Sequence, residues 1–195
     1  MAGPPRGAEW RFAGAASAPG SLPAWGLPEV AFAGRSNVGK SSLINRLTRS
    51  AGLARTSRTP GRTQQINFFV GRDQLVFADL PGYGFAKVPL NVRAAWKPLV
   101  EGYLKGRDVL RGVVVIVDAR RGLQADDTAL LEYLAGCGRV GIVVANKIDK
   151  LGQGERARSL AALRRAHEDV IAFSATTGEG ERELWDRLSR HAGLR

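Results

Sequence analysis

Short runs of apolar, largely β-branched residues alternate with longer amphipathic stretches along the chain from residue 29 onward. The apolar runs predict strands at residues 29–33, 65–70, 74–79, 113–118, 140–145 and 170–174. The stretches with helical spacing predict helices at residues 40–49, 92–105, 126–135, 155–166 and 180–190. Strands that alternate with helices indicate βαβ units and a mainly parallel sheet covered on both faces. The pattern therefore predicts an α/β fold with a six-stranded sheet.

One pair of predicted strands departs from this alternation. Only Gly71, Arg72 and Asp73 separate the second strand from the third, and a connection of that length is typical of a β-hairpin. We therefore expect one strand to run antiparallel, at or near an edge of the sheet.

The beginning of the chain does not share the alternation, because residues 1–25 are rich in Ala, Gly and Pro. We predict that residues 1–20 form a flexible leader and that residues 21–195 form a single domain. The alternative is a short segment that packs on the domain through Trp10, Phe12 or Trp25. A signal peptide is not expected, because no continuous apolar segment follows a basic start.

Composition excludes several other classes of protein. The 195 residues are 44% hydrophobic and 24% charged, which is typical of a folded protein and not of a disordered or fibrous one. Because Cys137 is the only cysteine, an intramolecular disulfide, a zinc cluster and a redox pair are excluded, and a reducing cytoplasm is expected. No run approaches about 18 consecutive apolar residues, so a membrane anchor is not expected.

The strongest chemical signal is the run Gly34-Arg35-Ser36-Asn37-Val38-Gly39-Lys40-Ser41, between the first predicted strand and the first helix. A glycine-rich loop in this place turns backbone N–H groups around a phosphate at the positive end of a helix. Lys40 would bridge the β- and γ-phosphates, and the Ser41 hydroxyl would bind Mg²⁺. The alternative is an ordinary glycine turn.

Three further segments suit a nucleotide site. Asp79-Leu80-Pro81-Gly82 ends a predicted strand and would place a carboxylate near Mg²⁺ and the Gly82 N–H near the γ-phosphate, although a simple Pro-Gly turn is the alternative. Thr63 precedes a strand and could order its loop around Mg²⁺ and the γ-phosphate, with Thr59 and Thr56 as alternatives. The third segment follows the fifth predicted strand and concerns the base.

Asn146-Lys147-Ile148-Asp149 indicates guanine. The Asp149 carboxylate can accept two hydrogen bonds, from guanine N1–H and from its amino group, whereas adenine lacks that pair of donors. We expect Asn146 to tether the phosphate loop and the stem of Lys147 to cover one face of the base. Ser174-Ala175, after the last strand, could present a backbone N–H to guanine O6, although the dipeptide alone has no significance.

Taken in order, these segments resemble a known family. Residues 29–45, 59–64, 79–84 and 117–120 are similar to the bacterial EngB family, also called YihA or YsxC, which belongs to the TrmE-Era-EngA-EngB-septin-like GTPases. The resemblance covers residues from about 21 to 190 and implies a P-loop NTPase three-layer sandwich, a translation-factor-related GTPase domain. Asn146 departs from it, because the family often has threonine there.

The resemblance also implies a function and a site. The implied function is GTP hydrolysis as a switch in large ribosomal subunit assembly, with a family link to cell division and septation. Lys40, Thr63, Asp79 and Gly82 are the implied catalytic residues, and Ser41 and Thr63 the implied Mg²⁺ ligands. The implied nucleotide contacts are Gly34, Arg35, Ser36, Asn37, Val38, Gly39, Lys40, Ser41, Gly61, Arg62, Thr63, Gln64, Gln65, Asp79, Leu80, Pro81, Gly82, Asn146, Lys147, Ile148, Asp149, Phe173, Ser174 and Ala175.

Hydrolysis is expected to be slow, because Tyr83 stands where Ras-like enzymes place the glutamine that orients the attacking water. Asn37 stands where some related GTPases coordinate K⁺, so K⁺ or the target could supply the missing acceleration. The alternative for Tyr83 is a loop aromatic packed on the domain.

A formal net charge of +11 suits a polyanionic partner. We expect the large ribosomal subunit and its rRNA to be bound besides GTP or GDP, no DNA to be bound, and the protein to be a monomer. The basic residues in or beside the two long loops are Arg49, Arg55, Arg58, Arg62, Lys87, Arg93 and Lys97, and the alternative is scattered, solvated charge. Two hypotheses remain: a GTP-hydrolysing switch, or an RNA-binding assembly module with GTP or GDP as a structural ligand and little turnover.

Overall fold

The computed structural model describes residues 9–54, 65–71, 73–83 and 90–194, without the side chains of residues 90–97. Within these residues the strands are Trp10–Ala16 (β1), Glu29–Gly34 (β2), Ile66–Gly71 (β3), Leu75–Asp79 (β4), Leu110–Asp118 (β5), Gly141–Asn146 (β6) and Val170–Ala172 (β7). The α-helices are Lys40–Thr48 (α1), Leu90–Gly106 (α2), Ala125–Gly136 (α3), Gln153–Ala166 (α4) and Glu181–Ala192 (α5). Short 3₁₀ turns lie at Pro19–Ser21 and Ile148–Lys150.

The strands form one sheet in the order β1-β3-β4-β2-β5-β6-β7. β3 is antiparallel to both of its neighbours, β1 and β4, and the other neighbouring pairs are parallel. The predicted α/β fold, its hairpin and its single antiparallel strand are therefore confirmed. The sheet has seven strands where the sequence predicts six.

Side chains of β5, a strand in the interior of the sheet, alternate between two hydrophobic layers. Val113, Val115 and Val117 of β5 pack with residues from α2, α3 and α4, whereas Val114 and Ile116 pack with residues from α1 and α5. A strand buried on both faces has a nearly continuous apolar sequence, as β5 has. The result is a three-layer sandwich, and no helix among the described residues is long and apolar enough to cross a membrane.

The additional strand is β1, and it corrects the prediction of a flexible leader over residues 10–16. The indole of Trp10 lies 4.2 Å from the ring of Phe77, measured between centroids. Gly71 makes room for it, because a Cβ there would lie 2.6 Å from Trp10 Cε2. Residues 10–16 follow the alternative expectation, a short segment that packs on the domain through Trp10. Phe12 does not share this role, because 55% of it is exposed.

A buried ion pair fixes the beginning of β2, the strand that leads to the glycine-rich loop. Glu29 is fully buried, and its carboxylate accepts hydrogen bonds from Arg107 Nη2 at 2.6 Å and from the Tyr103 hydroxyl at 2.9 Å. Burial and the charge of Glu29 raise the pKa of Tyr103 well above its ordinary value, so the phenol remains a donor. Because these partners are more than 70 residues from Glu29, the sequence pattern did not predict this pair.

We expect Trp10→Ala to lower the free energy of unfolding by about 3 kcal/mol, because it removes a large side chain packed on Phe77. Urea unfolding followed by far-UV circular dichroism measures the change. Phe12→Ala is the matched control on the same strand, and its exposed ring should contribute no more than about 0.5 kcal/mol. Equal losses for the two variants would contradict the packing of β1 through Trp10.

Candidate nucleotide-binding site

The predicted site segments converge at the carboxyl edge of the sheet. The glycine-rich loop follows β2, Asp79 ends β4, Asn146 ends β6, and residues 173–175 follow β7. Because these strands are parallel, their carboxyl ends lie at one edge, which is where open α/β sheets bind ligands. Predicted residues Gly61, Arg62, Thr63 and Gln64, and the alternatives Thr56 and Thr59, lie outside the described residues, whereas Gln65 is exposed just before β3.

The loop of residues 34–41 passes from β2 directly into α1. Gly39 has a φ of +98°, and a Cβ there would overlap the side-chain amide of Asn146. Gly34 is equally confined, because a Cβ would lie 2.9 Å from the carbonyl oxygen of Ile116. Only glycine fits these two positions, and the result is a tight turn at the N-terminus of a helix, which favours anions.

Lys40 and Asp79 form an ion pair across the site. The Lys40 Nζ contacts Asp79 Oδ1, and the two side chains are only 13% and 9% exposed. Lys40 opens α1 and Asp79 ends the neighbouring strand β4, so the pair joins the glycine-rich loop to the segment of residues 79–82. A lysine ammonium has three donors, and Asp79 accepts from one of them. Ser41 lies next to this pair, half-buried in the first turn of α1.

Gly82 lies against the glycine-rich loop. The N–H of Leu80 donates to Phe32 O at 3.0 Å, which extends the pairing of β4 with β2. A Cβ on Gly82 would lie 3.2 Å from Ser36 Oγ and 3.6 Å from Gly34 O. The structure therefore brings together the first two predicted segments within van der Waals distance.

Tyr83 packs against α3. Its hydroxyl donates to Asp127 Oδ1 at 2.9 Å, and its ring contacts the core layer on the α2–α4 face. Burial, followed by the charge of Asp127, raises the pKa of Tyr83 far above its ordinary value, so the phenol is a neutral donor. The interpretation of Tyr83 as an aromatic packed on the domain describes this geometry.

Asn146 joins three parts of the site, as the sequence predicts for a tether. Its Nδ2 donates to Val38 O at 2.8 Å, and its Oδ1 accepts from the N–H of Ala175 at 3.2 Å. The loop after β2, the end of β6 and the loop after β7 are therefore held by one buried amide. Both the Nδ2 and the Oδ1 of this buried amide therefore have a hydrogen-bond partner. A buried amide group without a partner would lower the stability of the fold.

Asp149 is held by a partner that the sequence did not predict. The hydroxyl of Ser174 donates to Asp149 Oδ1 at 2.7 Å, and Lys150 Nζ lies 3.4 Å from Oδ2. The Ser174 bond lowers the pKa of Asp149, against a smaller effect of burial, so the carboxylate is an ionised acceptor. The backbone N–H groups predicted for guanine O6 both have partners in the chain: Ser174 N–H donates to Glu179 O at 3.0 Å, and Ala175 N–H to Asn146.

Three further predicted residues lie in or against the segment of residues 146–149. Ile148 and Phe173 are buried, and the N–H of Ile148 donates to Phe173 O at 3.3 Å. The ammonium of Lys147 donates to the backbone oxygen of Asn37 and to Asp118 Oδ2. Asp118 lies in the segment of residues 117–120 that carries the family resemblance, but the sequence analysis gives it no role in the site, and no spacing signal connects it to Lys147.

Comparison with known proteins identifies the family to which this chain belongs. Residues 29–147 match the family model described as 50S ribosome-binding GTPase. A probable GTP-binding protein EngB from Desulforamulus reducens is 48% identical over 179 residues, which cover 89% of this chain and 87% of that protein. The chain belongs to the EngB family of GTP-binding proteins.

Two further EngB proteins show how far the similarity extends. The probable GTP-binding protein EngB from Syntrophus aciditrophicus is 49% identical over 185 residues, which cover 93% of this chain and 94% of that protein. A crystal structure of a probable GTP-binding protein EngB aligns with a TM-score of 0.68 and 28% identity, over 86% of this chain and 100% of that one. This EngB-family chain is therefore a GTPase with the P-loop sandwich fold.

Proposed function

We propose that this EngB-family GTPase works as a molecular switch in assembly of the large ribosomal subunit. The observation that carries the proposal is the buried Lys40–Asp79 pair, set at the same edge as the Asp149 carboxylate. Phosphate binding and guanine recognition can therefore act in one site. The family description as 50S ribosome-binding supports the choice of target.

In this proposal the glycine-rich loop surrounds the phosphates. The N–H groups at the start of α1 donate to the β-phosphate, and Lys40 bridges the β- and γ-phosphates. Mg²⁺ fits the donor set, because hydroxyl and carboxylate oxygens are its preferred ligands. Ser41, Thr63 and the nearby Asp79 would hold it, and the bound ion would neutralise charge on the phosphate oxygens. Thr63 lies outside the described residues.

Guanine would bind beside Asp149. Its carboxylate is ionised and can accept from N1–H and the amino group of the base. The Ser174 hydroxyl orients the carboxylate from the inside of the fold, and the stem of Lys147 covers one face of the base. The proposed donor to guanine O6 is the backbone N–H of Ala175. Its hydrogen bond to Asn146 Oδ1 is 3.2 Å long, whereas the bond from the Ser174 N–H to Glu179 O is 3.0 Å long.

The position of Tyr83 supports slow intrinsic turnover. Its hydroxyl is committed to Asp127 on α3, so it cannot orient a water beside the γ-phosphate, and acceleration must come from elsewhere. The same observation favours the second candidate function, an RNA-binding assembly module that keeps GTP or GDP as a structural ligand. The two functions differ in turnover on the target.

Charge supports an RNA-containing target in either case. The chain carries a formal net charge of +11, and phosphate contacts from Lys and Arg dominate binding to nucleic acids. Arg49, at the end of α1, lies 3.7 Å from Glu181 through its Nε, yet its side chain is 63% exposed and can reach a phosphate. The other loop cations in the prediction, Arg55, Arg58, Arg62, Lys87, Arg93 and Lys97, lie outside the described residues or have side chains outside them.

The deciding experiment is GTP hydrolysis with and without isolated large ribosomal subunits, in K⁺ and in Na⁺ buffers. We expect subunits to raise turnover by about 10-fold or more, since in-trans activation of related GTPases exceeds this factor. If Asn37 helps to bind the cation, we also expect GTP hydrolysis to be faster in the K⁺ buffer than in the Na⁺ buffer. GTP binding with turnover that stays at the background level, with subunits and in both salts, would instead support the RNA-binding module.

Tyr83→Phe separates packing from catalysis. We expect its hydrolysis rate to stay within about twofold of the parent protein, because the hydroxyl that it loses donates to Asp127 on α3. The lost hydrogen bond should lower the free energy of unfolding by about 1–3 kcal/mol. Single-turnover assays and urea unfolding measure the two effects. A large loss of rate with unchanged stability would overturn this assignment.

A further inference from the structure

Asp118, the last residue of β5, forms a charge cluster beside the segment of residues 146–149. Its side chain is 7% exposed and accepts a fork from Arg120, with Nε 2.9 Å from Oδ1 and Nη2 2.6 Å from Oδ2. Burial would raise the pKa of Asp118, but the bonds from Arg120 and Lys147 outweigh it and hold the pKa well below its usual range. The carboxylate is therefore ionised at physiological pH.

The Lys147 ammonium is fixed from two directions. It donates to Asp118 Oδ2 at 3.0 Å and to the backbone oxygen of Asn37 in the glycine-rich loop. The backbone of Lys147 has a φ of +67°, which costs free energy for a residue with a side chain. Two bonds from the ammonium thus hold the aliphatic stem in one orientation.

The same cations lie close to Asp149. Asp118 is paired with Asn146 across β5 and β6, and the N–H of Ala119 donates to Asn146 O at 2.8 Å, so Arg120 and Lys147 both lie beside the segment that ends at Asp149. The bond to Asp118 and the charge of that carboxylate raise the pKa of Arg120 most, and the charge of Asp149 raises it further. Asp149 itself is bonded to the Ser174 hydroxyl and paired with the exposed Lys150. A carboxylate that must accept two hydrogen bonds from a base loses them if a guanidinium or ammonium occupies its oxygens.

We propose that Asp118 is a specificity-determining positioning residue for guanine. It binds Lys147 and Arg120 and so keeps both cations off the Asp149 carboxylate, while the Lys147 stem stays in place as a wall for the base. The inference rests on the proposed placement of guanine at Asp149. In this proposal Asp118 acts through these two neighbours and not by binding the nucleotide itself.

Asp118→Asn tests the inference, because it removes the charge and keeps the shape of the side chain. IDP lacks the 2-amino group of GDP, so the ratio of GDP affinity to IDP affinity reports the second hydrogen bond at Asp149. In competition against a fluorescent GDP analogue, we expect GDP affinity to fall about tenfold and the ratio to fall at least about threefold. Freed Arg120 and Lys147 would then pair with Asp149.

A double variant, Asp118→Asn with Arg120→Ala, distinguishes this role from loss of structure. It removes one competing cation, so we expect part of the GDP/IDP ratio to return. Arg120→Ala alone is tolerated by the fold, because Arg120 is 46% exposed, and it should leave the ratio unchanged or higher. An equal loss of GDP and IDP affinity in Asp118→Asn, no recovery in the double variant, or a lower ratio in Arg120→Ala would overturn the inference.

Two controls complete the design. Asp169→Asn removes a carboxylate paired with Arg187 just before β7, at the opposite edge of the sheet, and should leave the ratio unchanged. The Asp149→Asn variant should bind XDP more tightly than GDP. If it still prefers GDP, the placement of guanine is wrong and the inference falls with it. If it prefers XDP and Asp118→Asn keeps the parent ratio, the inference alone is wrong.

Discussion

Lys40→Ala is expected to lower the rate of GTP hydrolysis by about 10²–10³-fold, the usual loss when one preorganised donor to a developing negative charge is removed. Lys40 opens α1 and contacts Asp79 in a site where both side chains are nearly buried. A positive charge in such a site stabilises the transition state more than it would in water, because solvent screens it little. Single-turnover hydrolysis of GTP measures the loss.

The matched control is Lys105→Ala, an exposed lysine in the last turn of α2, which should leave the rate unchanged. Lys40→Ala also leaves Asp79 without its ammonium in a largely buried place, so we expect a loss of stability as well. Unfolding in urea must therefore be measured in parallel. A folded Lys40→Ala protein that hydrolyses GTP at the parent rate would exclude Lys40 from the catalytic machinery.

The glycine-rich loop and its place between β2 and α1 were predictable because its residues are confined by backbone geometry. Gly39 needs a positive φ and has no room for a Cβ, and a lysine must follow it at the start of the helix. Such requirements leave a fixed spacing in the sequence. Asn146 was predictable for a related reason. Its side-chain amide donates to Val38 O, 108 residues away in the chain, yet the four-residue segment that contains Asn146 is recognisable on its own.

Other features were not predictable, because they depend on contacts between distant residues with no fixed spacing. Ser174 reaches Asp149 across 25 residues, and Tyr83 reaches Asp127 across 44. The strand β1 was missed for a different reason. Its Ala and Gly residues have low β-propensity, and it is stabilised by the packing of Trp10 on Phe77, which only the folded sheet provides.

Asp149→Asn is expected to exchange guanine for xanthine as the preferred base. Two hydrogen bonds to a charged group at about 2 kcal/mol each correspond to about a 10³-fold loss of GDP affinity. Xanthine carries a carbonyl oxygen where guanine has its amino group. An asparagine side chain can accept from N1–H and donate to that oxygen, so XDP should gain affinity as GDP loses it.

The surroundings of Asp149 allow this exchange without loss of the fold. The Ser174 hydroxyl donates to Oδ1 at 2.7 Å, and the side-chain oxygen of asparagine can accept the same bond. Competition binding with GDP, IDP and XDP measures the preference, and Asp186→Asn on the exposed face of α5 is the matched control. Equal weakening of all three nucleotides would show that Asp149 supports the loop without recognising the base. If the variant instead binds XDP more tightly than GDP, the side chain at position 149 faces the base, and in the parent protein that side chain is the Asp149 carboxylate.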